Sequence, residues 1–103
     1  MIVKVIITRK IQEGKNREVF ALLNKFRSDA LHQKGYISAE TLMNHDDPRE
    51  IAVISMWQGM ENWLKWKENP ERKANEFQLE RYLEGSTEYK TYVFGTYFAL
   101  FGK

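Results

Sequence analysis

The chain contains no cysteine among its 103 residues. This absence excludes disulfide bonds, thiolate nucleophiles and zinc sites built on cysteine. It is also the composition expected of a protein that folds in a reducing compartment, so the sequence predicts a cytoplasmic location. The first residues, Met1–Val5, lack the charged and long apolar regions of a signal peptide, and export is not expected.

Charge of one sign is not concentrated anywhere along the chain. The net charge is +2, and no run of five like charges occurs. Nucleic acid is therefore not an expected partner. The most apolar segment, Tyr92 to Leu100, is too short to cross a bilayer, so no membrane partner is expected either.

What the chain does contain is typical of one folded unit. Hydrophobic residues make up 43% of it and charged residues 29%, which argues against disorder. The length predicts a single domain over residues 1–103. Hydrophobic periodicity and turn residues predict strands over 2–8, 36–44, 50–57 and from Thr87 onward, and helices from Asn16 to about His32, over 60–67 and from Pro70 to about Leu83.

This order predicts a ferredoxin-like α+β fold. It reads βαββαβ, in which a four-stranded antiparallel sheet carries its helices on one face. The third strand has apolar residues on both faces, with Val53 on one side and Ile54 on the other. The helices can cover one face of the sheet only, so we expect a second copy of the chain to cover the other face in a homodimer. We interpret the apolar tail from Tyr92 to Leu100 as part of the dimer interface.

Several short motifs resemble the antibiotic biosynthesis monooxygenase family. They are Gly35-Tyr36 followed by Glu40, the strand Val53-Ile54-Ser55-Met56-Trp57, and Glu61, Trp63 and Trp66 before Asn69-Pro70. The resemblance implies a dimeric α+β barrel in which each subunit holds a pocket between its sheet and its helices. It also implies oxidation of quinol-like aromatic compounds without metal or flavin, so no cofactor is expected.

The haem-degrading branch of that family is matched poorly. The resemblance places that branch's pocket tryptophan at Trp66, its asparagine at Ile7 and its iron-ligating histidine at Glu76. Only the tryptophan is retained, and a carboxylate is a harder ligand than imidazole. Stoichiometric haem binding is therefore not expected.

All three tryptophans lie between positions 57 and 66. On a helical wheel Trp63 lies within an apolar arc and Trp66 at its edge. We therefore predict that Trp57 and Trp63 are core residues and that Trp66 borders the pocket, where the resemblance also places a ligand contact.

The other ionisable residues offer weaker candidates. His32 is expected in solvent at the end of the first helix, and His45-Asp46-Asp47 reads as a turn before Pro48 rather than a metal site. Glu76 and Glu80 share a helical face, and such a pair is more often a solvated stripe. Glu40 would need a partner if it pointed inward, and the sequence leaves its direction open.

The leading hypothesis is a homodimeric, cofactor-free monooxygenase that acts on a small aromatic or quinol-like compound. Ile7, Leu23 and Trp66 would contact the ligand, and Glu76 would act as the base, with no metal site. The alternative is a non-catalytic ligand-binding or assembly module of the same fold, because no convincing base stands out.

Overall fold

The computed structural model describes residues 1–94, and these form a sheet with a layer of helices. In chain order the elements are β1 (Val3–Ile11), α1 (Asn16–Ala30), β2 (Tyr36–Met43), β3 (Glu50–Trp57), α2 (Met60–Lys67), α3 (Pro70–Glu80) and β4 (Leu83–Val93). The predicted βαββαβ order is confirmed, with the second helical region divided at Asn69-Pro70.

The four strands form one antiparallel sheet in the order β2-β3-β1-β4. Strand β1 lies inside the sheet, where Ile7 pairs with Val53 of β3 and with Tyr89 of β4. Strands β2 and β4 are the edges. This arrangement brings the first and last strands together and leaves both inner strands apolar.

Strand β1 alternates between buried and partly buried positions along its whole length. Val3, Val5, Ile7 and Ile11 face the helices, as the two-residue period of a strand requires. The predicted strand ended at Thr8, whereas the real one continues to Ile11. The extra length places Arg9 on the buried face.

Helix α3 begins at a well-defined cap. The side chain of Asn69 accepts hydrogen bonds from the backbone N–H groups of Glu71, at 2.8 Å, and Arg72, at 3.2 Å, and Pro70 occupies the first helical turn. Both features favour a helix start. The helix ends at Glu80, earlier than the predicted Leu83.

The predicted last helix ran to about Leu83 and the predicted last strand began at Thr87, but residues 84–86, which were left between them, lie within β4. Gly85 has a φ of +72°, and the pairing of β1 with β4 changes register between Thr8 and Lys10. A bulge of this kind accepts a residue with positive φ without ending the strand. The turn-like composition of residues 84–86 therefore corresponds to a bulge inside β4.

The core between sheet and helices has two clusters. One contains the three tryptophans with Val3, Val5, Ile7 and Ala30, and the other contains Ile11, Val19, Leu23, Ile51, Leu79 and Leu83. The opposite sheet face carries partly exposed residues such as Ile6 and Ile54. Tyr92 and Phe94 of the predicted interface tail are exposed, and the part of that tail beyond residue 94 lies outside the described residues.

None of the helices within residues 1–94 combines the length and the apolar character that crossing a bilayer would require.

Candidate functional site

A cavity lies between the sheet and α1, where the two core clusters meet. Its walls include Ile7 from β1, Leu23 and Phe26 from α1, and Val53 from β3. Arg27 and Thr41 also line it and are exposed, so the mouth of the cavity opens between α1 and β2. An apolar concavity with a few polar groups is the usual form of a small-molecule site.

All three tryptophans line this cavity and all three are buried. Trp57 is 1% exposed, Trp63 2% and Trp66 5%. Trp57 packs edge-on against Tyr36, with ring centroids 5.5 Å apart, and lies 6.1 Å from Trp63. The predicted contrast between two core tryptophans and a third at the rim is therefore not found: each indole is both core and cavity wall.

One end of the cavity is formed by a buried ionic cluster. Arg9 is 2% exposed, Arg72 3% and Glu76 9%. Arg9 Nη2 donates to Glu76 Oε2 at 2.9 Å and to Oε1 at 3.2 Å, and Arg72 Nη2 lies 3.4 Å from Oε2. A bidentate guanidinium–carboxylate contact is the arrangement that makes burial of such charges tolerable.

Aromatic rings surround the guanidinium group of Arg72. It lies 5.5 Å from the ring centroid of Trp63, 5.6 Å from that of Tyr89 and 5.9 Å from that of Phe26. Its Nη2 atom also donates to the hydroxyl of Tyr89 at 3.1 Å. Stacking on π faces favours a cation and restricts its orientation, so Arg72 is held in place from several sides.

The predicted site residues fall into two groups in the structure. Ile7, Leu23 and Trp66 line the same cavity, whereas Glu76 does not line it. The Glu76 carboxylate lies behind the two arginines and borders shallow grooves on the outer side of α3. Its assignment as a base stays a prediction, and its contacts give it a further role, which is to hold Arg9 and Arg72.

Glu76 and Glu80 do not behave as a pair. Glu80 is exposed, whereas Glu76 is buried and contacts two arginines, so the expected solvated stripe is found for Glu80 alone. Arg9 was missed because the predicted strand ended at Thr8, three residues before the end of β1. Its signal was a charged residue in phase with Val3, Val5 and Ile7, on a face that must be buried.

The cavity lining supplies hydrogen-bond donors and no acidic or imidazole side chain within residues 1–94. Arg9, Arg72 and Arg27 contribute guanidinium groups, and Ser55 and Thr41 contribute hydroxyls. The Ser55 hydroxyl already accepts a hydrogen bond from Trp57 Nε1 at 3.1 Å. The lining can therefore orient an acceptor-rich ligand and exclude water.

The other ionisable candidates lie away from the cavity. His45 Nδ1 is 3.1 Å from Asp46 Oδ1 in an exposed turn, in which Asn44 Oδ1 accepts from the backbone N–H groups of Asp46 and Asp47. A hydrogen bond from Lys10 lowers the pKa of Asp47. Glu40 is exposed and pairs with Ile54, on the sheet face opposite the helices. Within residues 1–94, no three such side chains converge as a metal site would require.

Residues 2–75 match the protein-family model described as antibiotic biosynthesis monooxygenase, and this range is more than half of the chain. The chain belongs to this family. The matched range includes Ile7, Leu23 and Trp66 and ends one residue before Glu76. No curated protein matches the sequence significantly.

Solved structures of low sequence identity share this family's fold. A conserved protein from Methanosarcina mazei Go1 superposes with a TM-score of 0.85 at 16% identity, covering 89% of this chain and 91% of its own. Rv0793 from Mycobacterium tuberculosis gives 0.82 at 14% identity, with coverages of 90% and 94%. SnoaB, a cofactor-independent oxygenase from Streptomyces nogalater, gives 0.80 at 13% identity, with coverages of 89% and 91%. At these identities the similarity establishes the fold.

Proposed function

We propose that this protein is a cofactor-independent monooxygenase that oxidises a small aromatic or quinol-like compound in the tryptophan-lined cavity. Family membership and the fold shared with an oxygenase support the reaction class. The observation that carries the proposal is the cavity itself, in which Ile7, Leu23, Trp66 and other apolar side chains surround a few fixed donors. Such a lining suits a flat, electron-rich ring.

The chemistry requires little from the protein. Loss of a proton from the substrate leaves an electron-rich anion, which can pass electrons to dioxygen. For an anthrone, a ring CH₂ group and O₂ give a ring C=O group and water. For a hydroquinone, the ring gains one hydroxyl at a C–H position and is oxidised to the quinone, again with one water formed from O₂. In both cases the substrate supplies all four electrons, so no external reductant is needed. The protein holds the ring, excludes water and stabilises negative charge as it develops.

A ring-sized ligand has to widen the cavity as it enters. The volume is about 50 Å³, well below the roughly 300–1,000 Å³ of a typical ligand pocket. Arg27 and Thr41 at the mouth are exposed, so the cavity can widen there with the least disturbance of core packing. Binding therefore involves movement of side chains between α1 and β2.

Assembly as a homodimer is part of the same proposal. The helices cover one face of the sheet, and the other face presents Ile6, Ile54, Met56 and Leu42. A second copy packed on this face would remove these side chains from water.

Oxygen uptake tests the proposed reaction. The protein, treated with a chelator to remove metal ions, is incubated with a panel of hydroquinones and anthrones in an oxygen electrode. We expect uptake proportional to protein concentration, with one atom of ¹⁸O₂ entering the product. Uptake that disappears with the metal, or no protein-dependent uptake from any member of the panel, would contradict the proposal.

A matched pair of variants locates the reaction in the cavity. Ala39 lines the cavity, and Ala21 lies exposed on α1. Ala39→Trp should fill the cavity and abolish uptake, whereas Ala21→Trp adds the same side chain to the surface and should leave uptake unchanged. Equal rates in both variants would place the reaction elsewhere.

One observation favours the alternative of a non-catalytic binding module. Within residues 1–94 no carboxylate or imidazole lines the cavity, so a general base is not in direct reach of a ligand there. A module would bind members of the panel, as measured by calorimetry, without consuming oxygen, and this result separates the two functions.

A further inference from the structure

The ionic cluster at the cavity wall carries an excess of positive charge. Arg9 and Arg72 directly contact one carboxylate, that of Glu76, so these three buried side chains carry a net charge of +1, and the nearby Glu68 carboxylate is exposed to solvent. Both arginines are almost completely buried, and burial of an uncompensated cation costs several kcal/mol. A cluster with only a structural role would need one arginine for its one carboxylate.

The Glu76 carboxylate has no remaining capacity to absorb this excess. Its two oxygens accept from Arg9 Nε and Nη2 in three contacts, and Arg72 Nη2 makes a fourth. A carboxylate offers about four lone-pair sites, and all are engaged. The guanidinium groups, by contrast, keep donors to spare.

The spare donors belong to side chains that line the cavity. Arg9 Nη1, Arg72 Nη1 and Arg72 Nε donate to no acceptor within residues 1–94, and none of them is a fully buried atom left without a partner. Both arginines border the cavity, and each also borders a surface groove, Arg9 beside Glu84 and Arg72 beside Glu68. The Arg72 guanidinium group lies over the rings of Phe26 and Trp63, and these contacts restrict its position before any ligand binds.

From this arrangement we infer that Arg9 and Arg72 form an anion-binding subsite, and that the ligand is an aromatic compound bearing an anionic oxygen group, either a carboxylate or a phenolate. The aromatic ring lies among the tryptophans and its anionic oxygen accepts from the free guanidinium N–H groups. The inference deepens the proposed function, since it concerns the same cavity. The Glu76 carboxylate partly offsets the positive charge of this subsite.

Two ligands of equal shape test the inference on the wild-type protein. The probes are 2,5-dihydroxybenzoate, an anionic quinol, and its neutral amide, 2,5-dihydroxybenzamide, titrated by calorimetry at neutral pH. A hydrogen bond to a charged group is worth enough for the acid to bind at least about tenfold more tightly. Equal affinities, or tighter binding of the amide, would overturn the inference.

Substitutions assign the preference to the two arginines. Arg72→Gln keeps an amide donor and removes the charge, and it should reduce the acid-to-amide ratio to near one. Arg49→Gln is the control, because Arg49 lies outside the cavity, paired with Glu84 at 2.9 Å. An unchanged ratio in Arg72→Gln would exclude the subsite.

A gain of affinity covers the case in which Arg72→Gln does not fold. Glu76→Gln retains the shape of the side chain and raises the charge of the cluster from +1 to +2. The acid should then bind more tightly than it does to the wild type while the amide is unaffected, a result that loss of structure cannot produce. Weaker binding of the acid would count against the inference.

The nature of the anionic group is resolved by 4-nitrophenol, whose phenolate absorbs visible light. Binding that shifts its absorbance toward the phenolate form below its ordinary titration range identifies a phenolate site. Preference for the benzoate without this shift identifies a carboxylate site.

Oxygen uptake measured on the same samples separates this inference from the proposed function. A preference for the acid without uptake from any probe leaves the anion subsite standing and removes the oxygenase. Oxygen uptake from neutral quinols, with no preference for the acid over the amide, would support the oxygenase and exclude the anion subsite.

Discussion

At the residue scale, Glu76 is the side chain on which the buried charges depend. Removing it leaves two guanidinium groups facing each other with no counter-ion, and removal of one partner from a buried pair costs about 3–5 kcal/mol. We predict a loss of this size for Glu76→Ala, measured by urea unfolding. Glu80→Ala, one helical turn further along α3 and exposed, should change stability by less than about 0.5 kcal/mol. Similar losses at both positions would show that the ionic cluster is not formed.

The tryptophans provide a second residue-scale prediction. The sequence analysis placed Trp63 in the core and Trp66 at the edge of the apolar helical face, whereas the structure buries both in one cluster with Trp57. Each Trp→Ala variant should therefore lose about 3–5 kcal/mol. Phe77→Ala is the control, because Phe77 is 73% exposed on α3, and its effect should stay below about 0.5 kcal/mol. A clearly smaller loss of stability for Trp66→Ala than for Trp63→Ala would support the original assignment of Trp66 to the rim of the cavity.

These residues also mark the limit of prediction from sequence. Ile7, Leu23 and Trp66 could be assigned to one cavity because a family resemblance and apolar periodicity agreed. The Arg9–Glu76 contact spans 67 positions, and no local pattern encodes a pairing of that range. The helical wheel could not rank Trp63 and Trp66, because burial on this face depends on what β1 and α1 place opposite it.

At the scale of elements, the turn between α1 and β2 depends on Gly35. Its φ is +84°, and a Cβ atom there would collide with the side-chain amide of Asn62 on α2. The carbonyl of Gly35 also accepts from Gln58 N–H at 2.8 Å. One glycine therefore sets the approach of α2 to the start of β2.

Gly35→Ala and Gly14→Ala form a matched pair, since both glycines have positive φ and only Gly14 faces open space. Gly14→Ala should cost about 1–2 kcal/mol from backbone conformation alone. Gly35→Ala adds overpacking, worth a further ~1–3 kcal/mol. Equal midpoints in a denaturant titration would mean that Asn62 moves aside without cost.

Element order was predictable because each strand and helix has its own periodicity and caps, as at Asn69-Pro70. The exact ends of the strands and helices were harder to predict from the sequence than their order. Strand β1 runs past Thr8 because Arg9 is neutralised by a distant carboxylate, and β4 includes residues 84–86 because a bulge absorbs Gly85. In both cases tertiary pairing overrides the local signal.

At the scale of the whole molecule, the sheet divides the protein into two environments. One face, with the helices, encloses the cavity and its charges. The other carries a row of paired residues that runs across the sheet from Glu40 through Ile54 and Ile6 to Lys90. The row is apolar at its centre and charged at its ends, as a protein interface with a hydrophobic core and a polar rim would be.

The final prediction follows from this open face. Ile54 lies at the centre of the row, and a two-fold interface contains each substituted residue twice. Ile54→Asp would therefore bury two unpaired carboxylates, each costing several kcal/mol, and should convert a dimer into a monomer in light scattering coupled to size exclusion. Leu64→Asp introduces the same charge at an exposed position of α2 and should leave the dimer intact. A wild-type protein that is already monomeric at micromolar concentration, or an Ile54→Asp variant that stays dimeric, would show that another surface, or none, joins two copies.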